Sequence, residues 1–267
     1  QRRVHGGRQQ IYLFNLGTRI SNMVEEFFHG CCTSSTAREE VNHRSNPSIT
    51  LLSGPPSSGK TSLLLQFAAN AAVSRGSCGP VVFICKRSRL EAKSPLLSKE
   101  HNASCNCFNR IHMKYVEDDD GIKRYFSAFH LHEKTPSAVV VDDFAELFDE
   151  RKCIEKHGNP RGRELAIVRL LALCRSAVMP ENNTSKCRLL LSDTHQGDSP
   201  RLLYIYKRWV SSIFVIRSDG MGSFYVKSME DDKSDEHQKV RTAKFCIALH
   251  YLSLEEIVED DEVKLLE

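Results

Sequence analysis

A short apolar run, Ile49-Thr50-Leu51-Leu52-Ser53, is followed by Gly54-Pro55-Pro56-Ser57-Ser58-Gly59-Lys60-Thr61, and then by the almost wholly apolar stretch Ser62 to Ala72, SLLLQFAANAA. The middle segment meets every fixed position of the pattern G-x-x-x-x-G-K-[ST]. Its flanks supply the context that the pattern needs. The first run, short and closed by turn residues, reads as a buried strand, and the second reads as a helix. A strand that turns sharply into a helix leaves loop N–H groups and an open helix N-terminus facing outward, an arrangement suited to an anion.

The pattern therefore predicts a site for a nucleoside triphosphate, ATP, with magnesium. Contacts to the nucleotide are expected from Gly54, Pro55, Pro56, Ser57, Ser58, Gly59, Lys60, Thr61 and Ser62. Lys60 is expected at the terminal phosphates and the Thr61 hydroxyl on Mg2+. Gly54 and Gly59 are expected to supply unusual backbone dihedrals and close approach. About 80 residues downstream, Ala138-Val139-Val140-Val141-Asp142-Asp143 is an apolar strand that ends in acids. An aspartate there can face the magnesium shell opposite Thr61, and Asp142 is assigned that place. Asp143 either orients water or caps a turn. Lys60, Asp142 and Asp143 are the candidate catalytic residues. Hydrolysis also needs a carboxylate to position water and a cation for the transition state. The end of the second strand, where that carboxylate is sought, reads Cys85-Lys86-Arg87-Ser88-Arg89, with no acid before Glu91. Glu91, Asp143 and Glu146 remain candidates, so turnover is expected to be slow unless a partner completes the site.

A chain of 267 residues has room for one large domain or two small ones. Its net charge of +3 is too small to announce a nucleic-acid partner, so any basic surface must be local. No apolar run approaches the length of a membrane span, no signal peptide is read at the N-terminus, and the first residue is Gln1 rather than Met. The ten cysteines are scattered, mostly in apolar settings such as Cys85, Cys174 and Cys246, and are expected to be reduced thiols of an intracellular protein. Cys105-Asn106-Cys107 is the nearest approach to a metal motif and lacks the C-x₂-C spacing of zinc sites.

Organisation follows from where periodicity changes. Residues 1–46 read as an extension or linker, with an amphipathic helix over Ile11 to Phe28 (Leu13, Leu16, Ile20, Met23, Val24 and Phe27 on one side) and then a polar stretch from Thr33 to Ser48. Residues 47–228 alternate strands and helices. Strands are expected at 49–53, 81–85, 110–115, 138–141 and 188–192, and helices at 60–75, 121–132, 164–179 and 200–210. Lys86 to Asn109 reads as a polar insertion. A β-hairpin is expected over 212–217 and 223–227, turning at Ser218-Asp219-Gly220-Met221-Gly222. Residues 229–267 read as a charged linker and acidic tail, with one more strand possible at 242–252. Alternation of this kind predicts an α/β fold with a mostly parallel sheet and helices on both faces. Val81 to Cys85 is expected between the two strands that carry the loop and Asp142.

These features resemble the core of the RecA-family recombinases and their paralogues. There a strand like Arg110 to Tyr115 precedes a helix and then the Asp-ending strand. Arg161-Gly162-Arg163-Glu164-Leu165 is similar to the segment that opens the family's leucine-rich helix, and Arg188-Leu189-Leu190-Leu191-Ser192 to the strand with its sensor residues. More narrowly, VVVDDFAELF and a later strand ending in Arg217-Ser218-Asp219-Gly220 are similar to the small ATPase branch that pairs with a SWIM-domain zinc protein in Shu-type recombination-mediator complexes. The resemblance covers residues 47–228. It implies a RecA-like P-loop core, ATP and Mg2+, weak DNA-stimulated ATPase, single-stranded DNA, a SWIM-domain protein and other recombinase paralogues as partners, and a nuclear role in homologous-recombination repair.

The chain departs from the family in several places. Lys86-Arg87-Ser88 replaces the family's Thr-Glu-Gly, so its catalytic glutamate is missing. The sensor glutamine falls at Thr194, with Gln196 two residues on. The DNA-binding loop is compressed, and no separate helical DNA-binding domain is read at the N-terminus. Pro200 to Trp209 (PRLLYIYKRW) mixes basic and aromatic residues as single-strand binders do, which makes Arg201, Lys207 and Arg208 the candidate DNA contacts. The same stretch also reads as an amphipathic helix that packs Leu202, Ile205, Tyr206 and Trp209 while its cations are solvated. Two other functions stay open on the sequence: a small-molecule or nucleotide kinase, and a scaffold that nucleotide stabilises without turnover.

Overall fold

The structure, a computed structural model, describes residues 24, 27–28, 48–73, 79–98, 106–149, 155–179, 187–197, 199–229, 240–248 and 251–260. Along the chain, β1 (Ser48–Gly54) leads to α1 (Lys60–Val73), β2 (Val81–Cys85) to the short α2 (Arg87–Ala92), and β3 (Ile111–Tyr115) to α3 (Asp119–Ser127). Next come β4 (Ala138–Val141), α4 (Pro160–Val178), β5 (Arg188–Thr194) and α5 (Leu203–Trp209). The last strands are β6 (Ser212–Ser218), β7 (Ser223–Ser228), β8 (Val240–Ala248) and β9 (Tyr251–Asp260).

The strands form one sheet in the order β3-β2-β4-β5-β1-β6-β7-β8-β9. From β3 to β6 every pairing is parallel, and β7, β8 and β9 join antiparallel. This is the α/β, mostly parallel arrangement that the alternating pattern predicts. The central strands read as unbroken apolar runs because both of their faces are covered. Val139 and Val141 of β4, Leu189 and Leu191 of β5, and Ile213 and Val215 of β6 pack on one side, against α3, α4 and α5. Val140, Leu190, Phe214 and Ile216 pack on the other, against α1.

Helix α1 buries 10 of its 14 residues, which explains why it has no polar face. Residues 94–98 run along its outer side. The Leu96 N–H donates to Ser62 Oγ at 2.9 Å and the Ser98 N–H to Gln66 Oε1 at 3.4 Å. The insertion after β2 thus includes a strap across the helix that follows the glycine loop. Two helices start earlier than periodicity suggests, because their caps are polar. Asp118 accepts from the Gly121 N–H at 2.9 Å ahead of α3. Asn159 accepts from the Gly162 N–H at 2.7 Å ahead of α4, with Pro160 in the first helical turn.

Three expectations need correction or extension. Strand order differs: β5, not Val81–Cys85, lies between β1 and β4, and β2 flanks β4 on its far side. Order along the chain carries no information on which strand crosses over. The sheet also does not close near residue 228. Residues 240–260 contribute β8 and β9, with Ala243, Phe245 and Leu252 buried. A register shift between Lys244 and Phe245 breaks the two-residue alternation, and Glu255 and Glu256 dilute the apolar pattern of β9. Finally, Val24, Phe27 and Phe28 are buried in the same core as α1, although they fall in the stretch read as a linker. The Phe27 ring lies 6.2 Å from Phe67 and 5.9 Å from Phe214, and Phe28 lies 5.3 Å from Phe245. Leu13, Leu16, Ile20 and Met23 of the expected amphipathic helix, and the polar stretch 33–47, lie outside the described residues. No helix among the described residues is long and apolar enough to cross a membrane.

Candidate functional site

Strand β1 sits at the centre of the nine-stranded sheet, between the parallel strands β5 and β6, and ends at Gly54. This is the carboxyl edge, where parallel sheets leave room for ligands. The loop from Pro55 to Gly59 folds tightly. Pro55 O accepts from both the N–H and the Oγ of Ser58, at 3.4 and 2.8 Å. Ser57 (φ 60°) and Gly59 (φ 80°) adopt left-handed backbone and swing the chain into α1. A Cβ on Gly54 would stand 2.8 Å from Ile216 Cβ, and one on Gly59 would stand 2.7 Å from Ile247 Cδ1. Gly54 is therefore required by space, its backbone lying outside the left-handed region, and Gly59 chiefly by its dihedral angle. Ile247 belongs to β8, so the C-terminal strands also wall the loop.

Lys60 opens α1 and is almost buried, at 6% exposure. Its ammonium donates to Gly54 O at 3.1 Å and to Pro55 O at 2.8 Å, which leaves one of its three N–H groups for another acceptor. Burial lowers its pKa, and the nearby Asp143 and Asp142 carboxylates oppose that shift. Pro56 and Ser57 are exposed at the crest of the loop. The Ser62 hydroxyl is engaged by the Leu96 N–H of the strap.

The acids arrive from β4. Asp142 follows Val141, and its N–H donates to Ile84 O at 2.9 Å, extending the β2–β4 ladder by one rung. The Thr61 hydroxyl donates to Asp142 Oδ2 at 2.8 Å, and the Ser192 hydroxyl to Asp142 Oδ1 at 2.8 Å. The Asp143 N–H in turn donates to Ser192 Oγ at 2.8 Å. Because β5 lies between β1 and β4, Ser192 near its end pins the acid pair against the loop. Burial, and then the adjacent Asp143, raise the Asp142 pKa to about 6.

Asp143 occupies the cap position of the turn that follows β4, but its side chain makes no cap bond. Held in left-handed backbone at φ 48°, it accepts from the Thr194 hydroxyl at 2.5 Å and pairs with Arg89 Nη2 at 2.9 Å. Of the other candidate acids, Glu146 pairs with Arg89 and has Lys86 Nζ at 3.7 Å. Glu91 is exposed and pairs with Arg87, not with the loop. Thr194 contacts the acid pair, while Gln196 is exposed.

Sequence reading missed a buried polar layer at the end of β5. Asp193 is 2% exposed and His195 3%. Ser53 Oγ lies 2.7 Å from His195 Nδ1, and the buried Tyr206 faces Asp193 from α5. The signal was the polar run Ser-Asp-Thr-His closing an otherwise apolar strand. Burial, followed by Asp143, pushes the Asp193 pKa up to about 7. For an acid whose folded-state pKa is raised, stability is fully present below the ordinary carboxylate range and is lost as pH rises through about 7. Asp193→Asn keeps an acceptor for Tyr206 but has no proton to lose. Thermal unfolding followed from pH 4 to pH 8 is therefore expected to show a smaller loss of stability in Asp193→Asn than in the parent, by up to a few kcal/mol.

The structure thus brings Gly54, Gly59, Lys60, Thr61, Asp142 and Asp143 to one edge. Arg201, Lys207 and Arg208 are exposed on or beside α5, whose Ile205 and Tyr206 pack on the sheet. This is the amphipathic packing read from the sequence, and it leaves the cations facing solvent. Two open grooves of about 640 and 780 Å³ border α3 beyond β3 and share no residue with the loop. Among the described residues no three His, Cys, Asp or Glu side chains converge as a metal cage. Thr61 and Asp142 offer hard oxygen donors, so a divalent cation between them would draw its remaining ligands from water or an anion. No protein-family model matches the chain, and no curated protein matches it significantly.

Proposed function

We propose that the chain binds a nucleoside triphosphate, ATP, with magnesium at this edge, and that it acts as a recombinase paralogue within a DNA-repair complex. One observation carries the nucleotide reading. The Thr61 hydroxyl and the Asp142 carboxylate, 81 residues apart, meet at 2.8 Å beside a loop whose backbone turns through Ser57 and Gly59. That pairing is what a shared magnesium requires of the two motifs, and the oxygen donors fit the ion. Bound magnesium would spread the charge of the phosphates.

The chain's own groups divide the remaining tasks. N–H groups of the loop and of the first turn of α1 cradle phosphate. Lys60 turns its remaining N–H to the terminal phosphates. Ser192 fixes Asp142 in place. Asp143 and Glu146 are the nearest carboxylates for orienting water, and cations occupy both. That occupation favours slow turnover. It also supports a second reading, a nucleotide-stabilised scaffold, in which binding strengthens the fold or an assembly by mass action.

A kinase is less well supported. A strand between the loop strand and the Asp-ending strand is the order of the ATPase division, and β5 stands there. The recombination role rests on the resemblance of residues 47–228 to the RecA family. From it follow a SWIM-domain zinc protein and other recombinase paralogues as partners, single-stranded DNA as ligand and the nucleus as location. Arg201, Lys207 and Arg208, all exposed, are the basic residues proposed for DNA. The test is ATP turnover by the chain with and without single-stranded DNA. Slow turnover that rises with DNA, with the rise lost in Lys207→Ala/Arg208→Ala, supports the repair role. Phosphate transfer to a small acceptor would replace it with a kinase, and binding without turnover would leave the scaffold.

A further inference from the structure

Arg89 enters the site from β2, next to β4. The β2–β4 ladder sets Ile84 against Val141, so the residues that follow both strands emerge side by side. Helix α2 then turns the Arg89 guanidinium back over the acid pair. Its fork spans two carboxylates, reaching Asp143 Oδ2 at 2.9 Å with one nitrogen and Glu146 Oε2 with the other. The side chain stays half exposed, at 50%, whereas that of Asp143 is 10% exposed. Lys86 backs Glu146 from the same segment. Lys60, in the loop, lies within electrostatic range of Asp143 and of Arg89. Two cations on different elements thus converge on Asp143, a strained residue in left-handed backbone.

We infer that Arg89 is a sensor of the terminal phosphate: without ligand its guanidinium is parked on Asp143 and Glu146, and a nucleoside triphosphate draws it onto the γ-phosphate. The inference rests on the nucleotide reading above and extends it to ligand discrimination. An arginine fork fits a phosphoryl group as well as a carboxylate, and two parallel N–H bonds can pass from one to the other. A diphosphate, held by the loop and Lys60, ends short of Arg89 and leaves it parked. A triphosphate extends to it. Transfer also leaves Glu146 with Lys86 alone, at 3.7 Å, so its second oxygen is uncovered only when a third phosphate is present. Where the recombinases that the chain resembles place an acid after this strand, the chain would place a charge detector.

The test compares the affinity of magnesium complexes of a non-hydrolysable ATP analogue and of ADP for the parent, Arg89→Gln, Glu146→Gln and Lys60→Ala. Circular dichroism confirms that each variant is folded. The parent is expected to favour the triphosphate. Arg89→Gln is expected to lose roughly tenfold of that preference through weaker triphosphate binding, with ADP affinity unchanged. Glu146→Gln, which removes a competing carboxylate, is expected to raise the preference, and Lys60→Ala to weaken both ligands. If Arg89→Gln keeps the parent's preference, or weakens both nucleotides alike, while Lys60→Ala weakens both, the sensor role is overturned and the nucleotide site stands. A parent that binds neither nucleotide overturns the site and the sensor together.

Discussion

Lys60→Ala is expected to reduce affinity for magnesium ATP by about a hundredfold or more. Its ammonium is held over the loop by Gly54 O and Pro55 O, and its remaining N–H has no better partner than a phosphate oxygen. A hydrogen bond from a charged donor contributes about 1.5–3 kcal/mol, and the charge also attracts the phosphate oxygens that the remaining N–H does not reach. The fold should survive, because Pro55 O keeps its bonds from the Ser58 N–H and hydroxyl when the ammonium is removed. Titration calorimetry on parent and variant measures the effect. A change of less than about threefold would mean that the ammonium serves only to clamp the loop carbonyls.

The second large effect is on stability. Phe27→Ala is expected to cost about 3–5 kcal/mol in urea unfolding, the range for emptying a fully buried aromatic site. Phe27 has no exposed surface and packs its ring on Phe67 of α1 and Phe214 of β6. A residue in a solvated linker would change stability by about 0.5 kcal/mol or less. The measurement decides whether the segment around Phe27 belongs to the folded unit. It bears on the site too, because α1 supplies Lys60 and Thr61 and its outer side is covered by residues far away in the chain.

What the sequence reveals depends on how local the signal is. The glycine loop and its flanks are local, and β1 and α1 fall where the pattern sets them. The same holds for Ala138 to Val141 and the acid after it, because a run buried on both faces is continuous. The polar layer of Ser53, Asp193 and His195 was hidden because its meaning comes from β5 lying beside β1, a non-local fact. Arg89 was hidden for the same reason. Lys86-Arg87-Ser88-Arg89 reads either as a basic run that faces phosphate or a partner subunit or as exposed loop, and the sequence does not say which until β2 is set beside β4. β8 and β9 were obscured by a register shift at Lys244 and by the acidic Glu255 and Glu256, which imitate a solvated tail. Phe27 and Phe28 were assigned to an extension because the polar residues after them suggest a linker.

These features meet at the end of β1. The loop is shaped by strain and close packing, walled by Ile247 from β8 and backed by a helix under a strap. The acids opposite are pinned by Ser192 and covered by the half-exposed Arg89. The most direct measurement is a structure of the chain soaked or crystallised with magnesium and a non-hydrolysable ATP analogue. The expected result is a triphosphate wrapped by residues 54–62, with the Lys60 ammonium on its terminal phosphates and the metal between the Thr61 hydroxyl and Asp142. Nucleotide density elsewhere on the protein, or a metal bound without Thr61 and Asp142, would contradict the assignment.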